Sequence, residues 1–327
     1  MRLVANTDYW DKARGPRLRE VVFRNDISPE RALDLVCTTE GEVDIVTEIA
    51  PADAARVEQS EHAKLVSIDP MRAVVGIINR DAEGLPFADR RARRALNLAV
   101  DREALVRDAM FGRARPLAGL TPPTPLTRAQ LFPDRLRPYP HDAARAATLW
   151  REAGGGGRPL RIAALEKLEQ VARAAAADLR AALGLDVEVT VYRGKEEELR
   201  ARRRLAEKTR PREWDLFILD QGTQTADAPT LELHRAVVGE TGEYRAGPVV
   251  PAFETLYAEF TRQTSQVQLA LMANRIDRFV YNQDLALFLC APRALYAVNQ
   301  HVDFTAYRTT FELAQCQVSG AHWSRRS

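Results

Sequence analysis

The stretch from Leu85 to Gly112, LPFADRRARRALNLAVDREALVRDAMFG, constrains the fold more than any other part of the chain. It reads as two short helices in tandem. Asp89 is placed to cap the first, because its carboxylate accepts a hydrogen bond from an unpaired amide of the opening turn. Ala92, Ala95, Leu96 and Ala99 then recur at helical spacing and form an apolar stripe. Asp101 caps the second helix. Arg102, Glu103 and Ala104 open it, Leu105, Ala109 and Met110 give it a buried side, and Gly112 is placed to end it. A helix pair with one small-residue stripe packs on a sheet.

The rest of the chain is consistent with an α/β protein of that kind. Its 327 residues suffice for two domains. A net charge of +2 makes no case for nucleic acid or an acidic membrane surface. The first twenty residues carry Arg2, Asp8, Asp11, Lys12, Arg14, Arg17, Arg19 and Glu20, which leaves no room for the apolar core of a secretory leader. No apolar run approaches the roughly 18 residues of a membrane span. On these grounds alone a cytoplasmic location is expected. Cys37, Cys290 and Cys316 form no CxxC pair, which leaves one disulfide or three buried thiols.

In chain order, Val21–Phe23 has the apolar run of a buried strand, and Pro29 to Thr38 is helical with Ala32, Leu35 and Val36 on one side. Gly41 precedes a strand with Val43 and Ile45 inward and the acids Glu42 and Asp44 outward. Pro51 to Gln59 is a short helix, and strands follow around Leu65–Ile68 and Ala73–Ile78. Pro116, Pro122, Pro123, Pro125, Pro133, Pro138 and Pro140 mark a stiff surface loop. Asp142 caps a helix with Ala146, Leu149 and Trp150 inward. The run Gly154 to Gly157 lacks the Lys-Ser/Thr of a phosphate loop and is a connector. Leu160–Ala164, Glu166–Leu183 and Val187–Val191 form a strand–helix–strand unit, with Gly184 as the helix stop, and so imply parallel neighbours. The basic run Leu199 to Arg212 contains no aromatic residue, so a solvated helix face is expected rather than a nucleic-acid surface. Strands at Trp214–Leu219 and Leu285–Cys290 and helices around Phe253–Phe260 and Val267–Val280 complete the pattern.

Several of these segments share one resemblance. PFAD-RRARRALNLAVDREALV, at Pro86 to Val106, is similar to PFAD-x-R-V-R-x-A-L-x-x-A-I-D-R-E-x-L-V of the family 5 extracellular solute-binding proteins, the peptide- and nickel-binding group of ABC importers. Asn6 to Lys12, the run Arg19–Arg24, GEVDIV at Gly41, GLTPPTP at Gly119, WD at Trp214 and the ending PRALYAVNQHVDF resemble further family segments. The resemblance implies a type II periplasmic-binding-protein-like α/β fold, two lobes each with a mixed sheet flanked by helices. It covers only the later part of the family, so an incomplete first lobe is expected, made of residues 1–78 plus 298–327. A second lobe with its own α/β core is expected over 79–297.

The same resemblance implies a receptor that holds a peptide or other polar small solute in an inter-lobe cleft and delivers it to the permease of an ABC importer. It also implies a periplasmic or extracellular location. A cytoplasmic ligand-sensing regulator reusing the fold is the other reading, should Met1 be the true start. His62, His141, His234, His301 and His322 are dispersed and no HExxH, GxSxG or GxGxxG occurs, so neither an enzyme, a cofactor nor a metal is expected. The expected ligand walls are Met71, Arg72 and Ala73, then Asp220, Gln221, Thr223, Gln224, Thr225 and Asp227, and lastly Tyr296. Peptide-binding members often carry an aspartate against the peptide amine where this chain has Gln224 or Thr225. A free amine in a closed site needs a counter-charge, and Asp220 is the remaining candidate for it. A sugar, opine or other polar solute becomes the alternative to a simple peptide.

Overall fold

The computed structural model describes residues 1–11, 13, 15–69, 72–122, 136–208, 212–222, 231–306, 313 and 315–326. In chain order the strands are β1 (Arg2–Val4), β2 (Glu20–Val22), β3 (Ile45–Thr47), β4 (Ala63–Ile68), β5 (Arg72–Ile78), β6 (Ala114–Pro116), β7 (Leu160–Leu165), β8 (Val187–Tyr192), β9 (Leu216–Gly222), β10 (Ala286–Pro292), β11 (Ala294–Asn299), β12 (Val302–Asp303) and β13 (Gln317–Val318). The α-helices are α1 (Pro29–Thr38), α2 (Ala54–Glu58), α3 (Arg90–Ala99), α4 (Arg102–Asp108), α5 (Ala143–Glu152), α6 (Glu169–Leu183), α7 (Gly194–Ala206), α8 (Glu232–Val238), α9 (Pro251–Thr261) and α10 (Gln266–Asn282). They form two compact units, Met1–Asp69 with Arg293–Ser327, and Pro70–Pro292.

The second unit is built on a six-stranded sheet in the order β6-β10-β5-β9-β7-β8. β7 pairs in parallel with both β8 and β9, while β5 runs antiparallel to β9 and β10. Strand β5 therefore belongs to this sheet, although the sequence reading assigned residues up to 78 to the first lobe. β5, β9 and β10 are continuous apolar runs because both faces are covered. Val74, Val75, Leu216, Ile218 and every residue from Ala286 to Ala291 are fully buried. The edge strand β8 alternates instead.

The helix pair is as the sequence reading has it. Asp89 accepts from the Arg91 amide at 2.7 Å and Asp101 from the Ala104 amide at 3.0 Å. Each cap contributes about 1 kcal/mol. Ala92, Ala95, Leu96 and Ala99 are completely buried, and the small size of the three alanines lets α3 pack closely on α5. The αL backbone of Gly112 (φ +71) turns the chain into β6, its amide closing on the Val106 carbonyl at 2.9 Å. Gly184 stops α6 in the same conformation (φ +65). The expected proline loop is only partly a surface feature. Ala114–Pro116 pairs with β10, and Leu117, Leu120 and Tyr139 are buried in the core; residues 123–135 lie outside the described set. The basic helix α7 is ion-paired along its length, Glu196–Arg200 and Arg203–Glu207 on the exposed side and Glu198–Arg202 half-buried.

In the first unit β11 is the centre of an antiparallel sheet, β3-β11-β4, so the mixed pairing belongs to the second unit. Alternation splits its residues cleanly. Leu295 and Ala297 face Leu33, Val36 and Val57, whereas Tyr296 and Val298 face Val302, Phe304 and Cys316. Two local expectations are corrected here. Val22 on β2 is half exposed rather than buried, since β1 and β2 form an isolated two-stranded ribbon. Asp44 is not a solvated strand residue. Its Oδ1 lies 3.0 Å from His322 Nε2, and accepts from Trp323 Nε1 at 2.9 Å and Asn299 Nδ2 at 3.3 Å, tying the last residues to the sheet. All three cysteines are buried free thiols.

Candidate functional site

Strands β7, β8, β9 and β10 point their carboxyl ends toward one edge of the six-stranded sheet. The antiparallel β5 begins at that edge, where Arg72 faces Gly222 and Ala73 faces Gln221 in register. Carboxyl edges of open α/β sheets gather ligands, because strands stop there and loops and helix starts supply polar groups. The same edge holds both ends of the unit's chain, the start of β5 and the end of β10 at Pro292.

Asp220 is the centre of this edge. It is 5% exposed. Its Oδ2 accepts from Arg72 Nε at 2.7 Å, and its Oδ1 lies 2.9 Å from Lys167 Nζ and 3.9 Å from Arg202 Nη2. The lysine contact is an ion pair without the angles of a hydrogen bond, so Oδ1 keeps unused accepting capacity. Burial pushes the Asp220 carboxyl up, but the charges of Arg72 and Lys167 outweigh it and hold the group below the ordinary carboxylate range. Arg202 is shared, its Nε donating to Glu198 Oε1 at 3.1 Å. Beside the cluster the Tyr244 hydroxyl donates to Gln221 Oε1 at 3.4 Å. Burial, aided by Glu243, pushes the Tyr244 hydroxyl up to about 12, so it stays a neutral donor.

The structure thus brings together Arg72, Ala73, Asp220 and Gln221 from the sequence-derived set. Ala73 is fully buried and contributes backbone only. Asp220 is engaged by protein cations, so it is not the free counter-charge for an amine that the sequence reading made it. Tyr296 lies in the other unit, its ring 5.4 Å from that of Phe304. Met71, Thr223, Gln224, Thr225 and Asp227 lie outside the described residues. Lys167 and Arg202 were missed. Lys167 sits in the single 3-10 turn between β7 and α6, the position at which a parallel strand delivers its first loop residue to this edge. That position was readable from the strand–helix–strand pattern.

The chain matches the model of the bacterial extracellular solute-binding proteins, family 5 (middle), over residues 1–232. Among curated proteins it is 30% identical to the glutathione-binding protein GsiB of Salmonella typhimurium over 146 residues, 45% of this chain and 27% of that protein. It is 23% identical to di/tripeptide-binding protein 2 of Pseudomonas aeruginosa over 320 residues, 92% of this chain and 55% of that protein. Among solved structures, the ABC transporter substrate-binding protein CtaP of Listeria monocytogenes superposes with a TM-score of 0.80 at 16% identity, covering 97% of this chain and 63% of that one. NikA of Brucella suis, in complex with Fe(III)-EDTA, superposes at 0.78 and 17% identity, covering 97% and 65%. The chain therefore spans between about a quarter and two thirds of these relatives. They are binding proteins rather than enzymes. The chain belongs to the family 5 bacterial extracellular solute-binding proteins and has their type II periplasmic-binding-protein fold.

Proposed function

We infer that the chain is the solute-binding receptor of an ABC importer, taking up a polar small solute outside the cytoplasm and delivering it to a membrane permease. The family match supports the receptor class. The observation that carries the reading at residue level is the polar cluster of Arg72, Lys167, Asp220 and Gln221 on the carboxyl edge of an otherwise apolar sheet. Charged groups on such an edge are costly unless they serve orientation or binding. In this reading the expected lobes correspond to the two compact units, and binding is the whole activity, without turnover.

The test is native mass spectrometry of the purified protein, to release and identify any retained solute. Thermal shift against di- and tripeptides, glutathione, opines and sugars then follows. Saturable stabilisation by one class, with that solute recovered unchanged, is the expected result. No retained solute together with no stabilisation by any class would overturn the receptor reading, and chemical conversion of the bound solute would overturn the absence of turnover.

A further inference from the structure

We propose that Arg80, Arg245 and Lys208, gathered at the opposite edge of the six-stranded sheet, form a site for a phosphate group. The site goes beyond the receptor reading and does not rest on it. The length of β5 (Arg72–Ile78), roughly 20 Å, separates Arg80 from the Asp220 cluster.

One turn of the chain gathers the three cations. β5 ends at Ile78, opposite Leu216 at the start of β9. Two residues on, the Arg80 amide donates to the Ala246 carbonyl at 3.0 Å, which lays the segment between α8 and α9 against the end of β5. Gly247 makes that approach close. A Cβ there would lie 2.6 Å from Arg80 Cβ, and its φ of +132 is one that residues with a Cβ rarely adopt. The Arg80 stem therefore lies on the turn, and its Nη2 donates to the Pro248 carbonyl at 2.8 Å. Arg245 folds back on the same turn, with Nη1 on the Gly247 carbonyl and Nε on the Glu240 carbonyl at 3.2 Å. Lys208, just past the end of α7 in the αL conformation (φ 56), brings its Nζ to the same Glu240 carbonyl at 3.5 Å.

Among the described residues, the groups that accept from these cations are backbone carbonyls, and no carboxylate lies within ion-pair distance of any of the three. Carbonyls carry no net charge, so the positive charge of the cluster stays in place. Burial, and then the charges of Arg93 and Arg245, push Arg80 down to about 10, which leaves it a guanidinium at neutral pH. Asp81 acts the other way, from beyond ion-pair distance. Glu254 is engaged by the Glu240 amide at 2.8 Å. All three cationic side chains are partly exposed, so an anion meets them from solvent. Arg80 keeps Nε and Nη1 and Arg245 keeps Nη2 beyond the bonds that hold them to the turn. A tetrahedral oxyanion can offer separate oxygens to the two guanidinium groups and the ammonium, and its double charge answers more of the surplus than a carboxylate does.

Inorganic phosphate is the minimal probe. In the intact chain, sodium phosphate titrated at constant ionic strength should shift the backbone amides of Arg80 and Gly247 saturably in two-dimensional NMR, and chloride should not. Arg245→Gln should weaken phosphate by about fivefold or more. Lys208→Gln, at a side chain outside the core, should weaken it by about threefold or more and keeps the test open should Arg245→Gln fold poorly. No saturable phosphate shift, undiminished binding in the folded variants, or acetate bound as tightly as phosphate would overturn the site. Co-sedimentation with phosphatidylglycerol vesicles, set against phosphatidylcholine, separates the two sources of a phosphate group. Capture by phosphatidylglycerol that phosphate competes away and the variants lose assigns the site to a lipid headgroup. Phosphate shifts without capture assign it to the free anion. Capture that both variants retain, with no phosphate shift, would overturn the proposal.

Discussion

Replacing Arg102 tests whether a buried guanidinium organises the core of the second unit. Arg102 is 3% exposed, and no carboxylate accepts a hydrogen bond from it among the described residues. Its Nε donates to the Phe288 carbonyl at 2.7 Å, Nη1 to the carbonyls of Asn97 at 2.7 Å and Val100 at 3.2 Å, and Nη2 to Asn97 Oδ1 at 3.0 Å. These acceptors lie at the carboxyl end of α3 and on β10, where unpaired carbonyls leave partial negative charge. Burial lowers the guanidinium to about 10, so it remains charged at neutral pH. Arg102→Ala removes the donor to three backbone carbonyls and one amide oxygen within 3.2 Å, and to the Tyr139 carbonyl at 3.5 Å. At about 1 kcal/mol for each of the four shorter bonds, the loss is about 4 kcal/mol, and the cavity left by the side chain adds to it. In domains of this size each kcal/mol moves the melting temperature by roughly 2–4 °C, so a fall of roughly 8–16 °C is expected. Arg102→Met restores volume without donors and should recover only the cavity part. Circular dichroism melts of both variants give the comparison. A fall of less than about 3 °C in Arg102→Ala would refute the argument, since it would mean water or a rearranged side chain satisfies those carbonyls.

Three further outcomes follow from the same structure. Asp215 is completely buried between Arg158 (2.7 Å) and Arg161 (3.0 Å). Burial pushes its carboxyl up, but the two guanidinium groups hold it below the ordinary range. Its stabilisation is therefore present above the unfolded pKa and lost as pH falls through the folded one. Asp215→Asn should cost about 3 kcal/mol at pH 7, the low end for a buried pair because both arginines are partly solvated, and urea midpoints should converge with the parent in acid. Asp284 runs oppositely. Burial lifts its carboxyl above the ordinary range despite the Tyr139 hydroxyl at 2.7 Å and Arg90 at 3.0 Å. Its contribution is full below the unfolded pKa, near 3.9, and is lost as pH rises through the folded value. Asp284→Asn, at an αL backbone that Asn accepts (φ 51), should gain on the parent as pH rises from about 4 to 7. A stability difference that stays constant over that range would sink this account. Gly184→Ala meets no atom within 4 Å, so its cost should be the αL penalty alone, about 1 kcal/mol, read as a drop of roughly 2–4 °C. An unchanged melting temperature would mean that α6 ends in another way.

Local structure was largely legible in the sequence because it depends on near neighbours. Asp89, Asp101 and Asp142 cap the helices they precede, since an N-cap bond reaches only two or three residues. The 3.6-residue stripe of α3 and the strand–helix–strand run of β7, α6 and β8 identified themselves by period. What failed depends on partners far along the chain. Val22 has the residue type of a buried strand, but among the described residues no third strand pairs with its ribbon. Asp44 looks outward until the chain returns with His322 and Trp323. The proline-rich stretch hides β6 because β10 supplies its pairing.

The sequence by itself determined the capped helix pair, the buried character of the central strands, the parallel βαβ unit and the family, all carried by short-range spacing and contiguous motifs; it did not mark the helix Glu232–Val238 or the start of the basic helix at Gly194. Only the tertiary structure decided the chemistry of the candidate site. Arg72 and Asp220 are separated by 148 residues and meet because β5 and β9 pair in one particular register. A slip of one residue would turn Asp220 to the opposite face. Lys167 reaches the same carboxylate because β7 ends beside β9. A carboxylate read alone is a partner for an amine, but held between Arg72 and Lys167 it is already partnered by the chain's own cations.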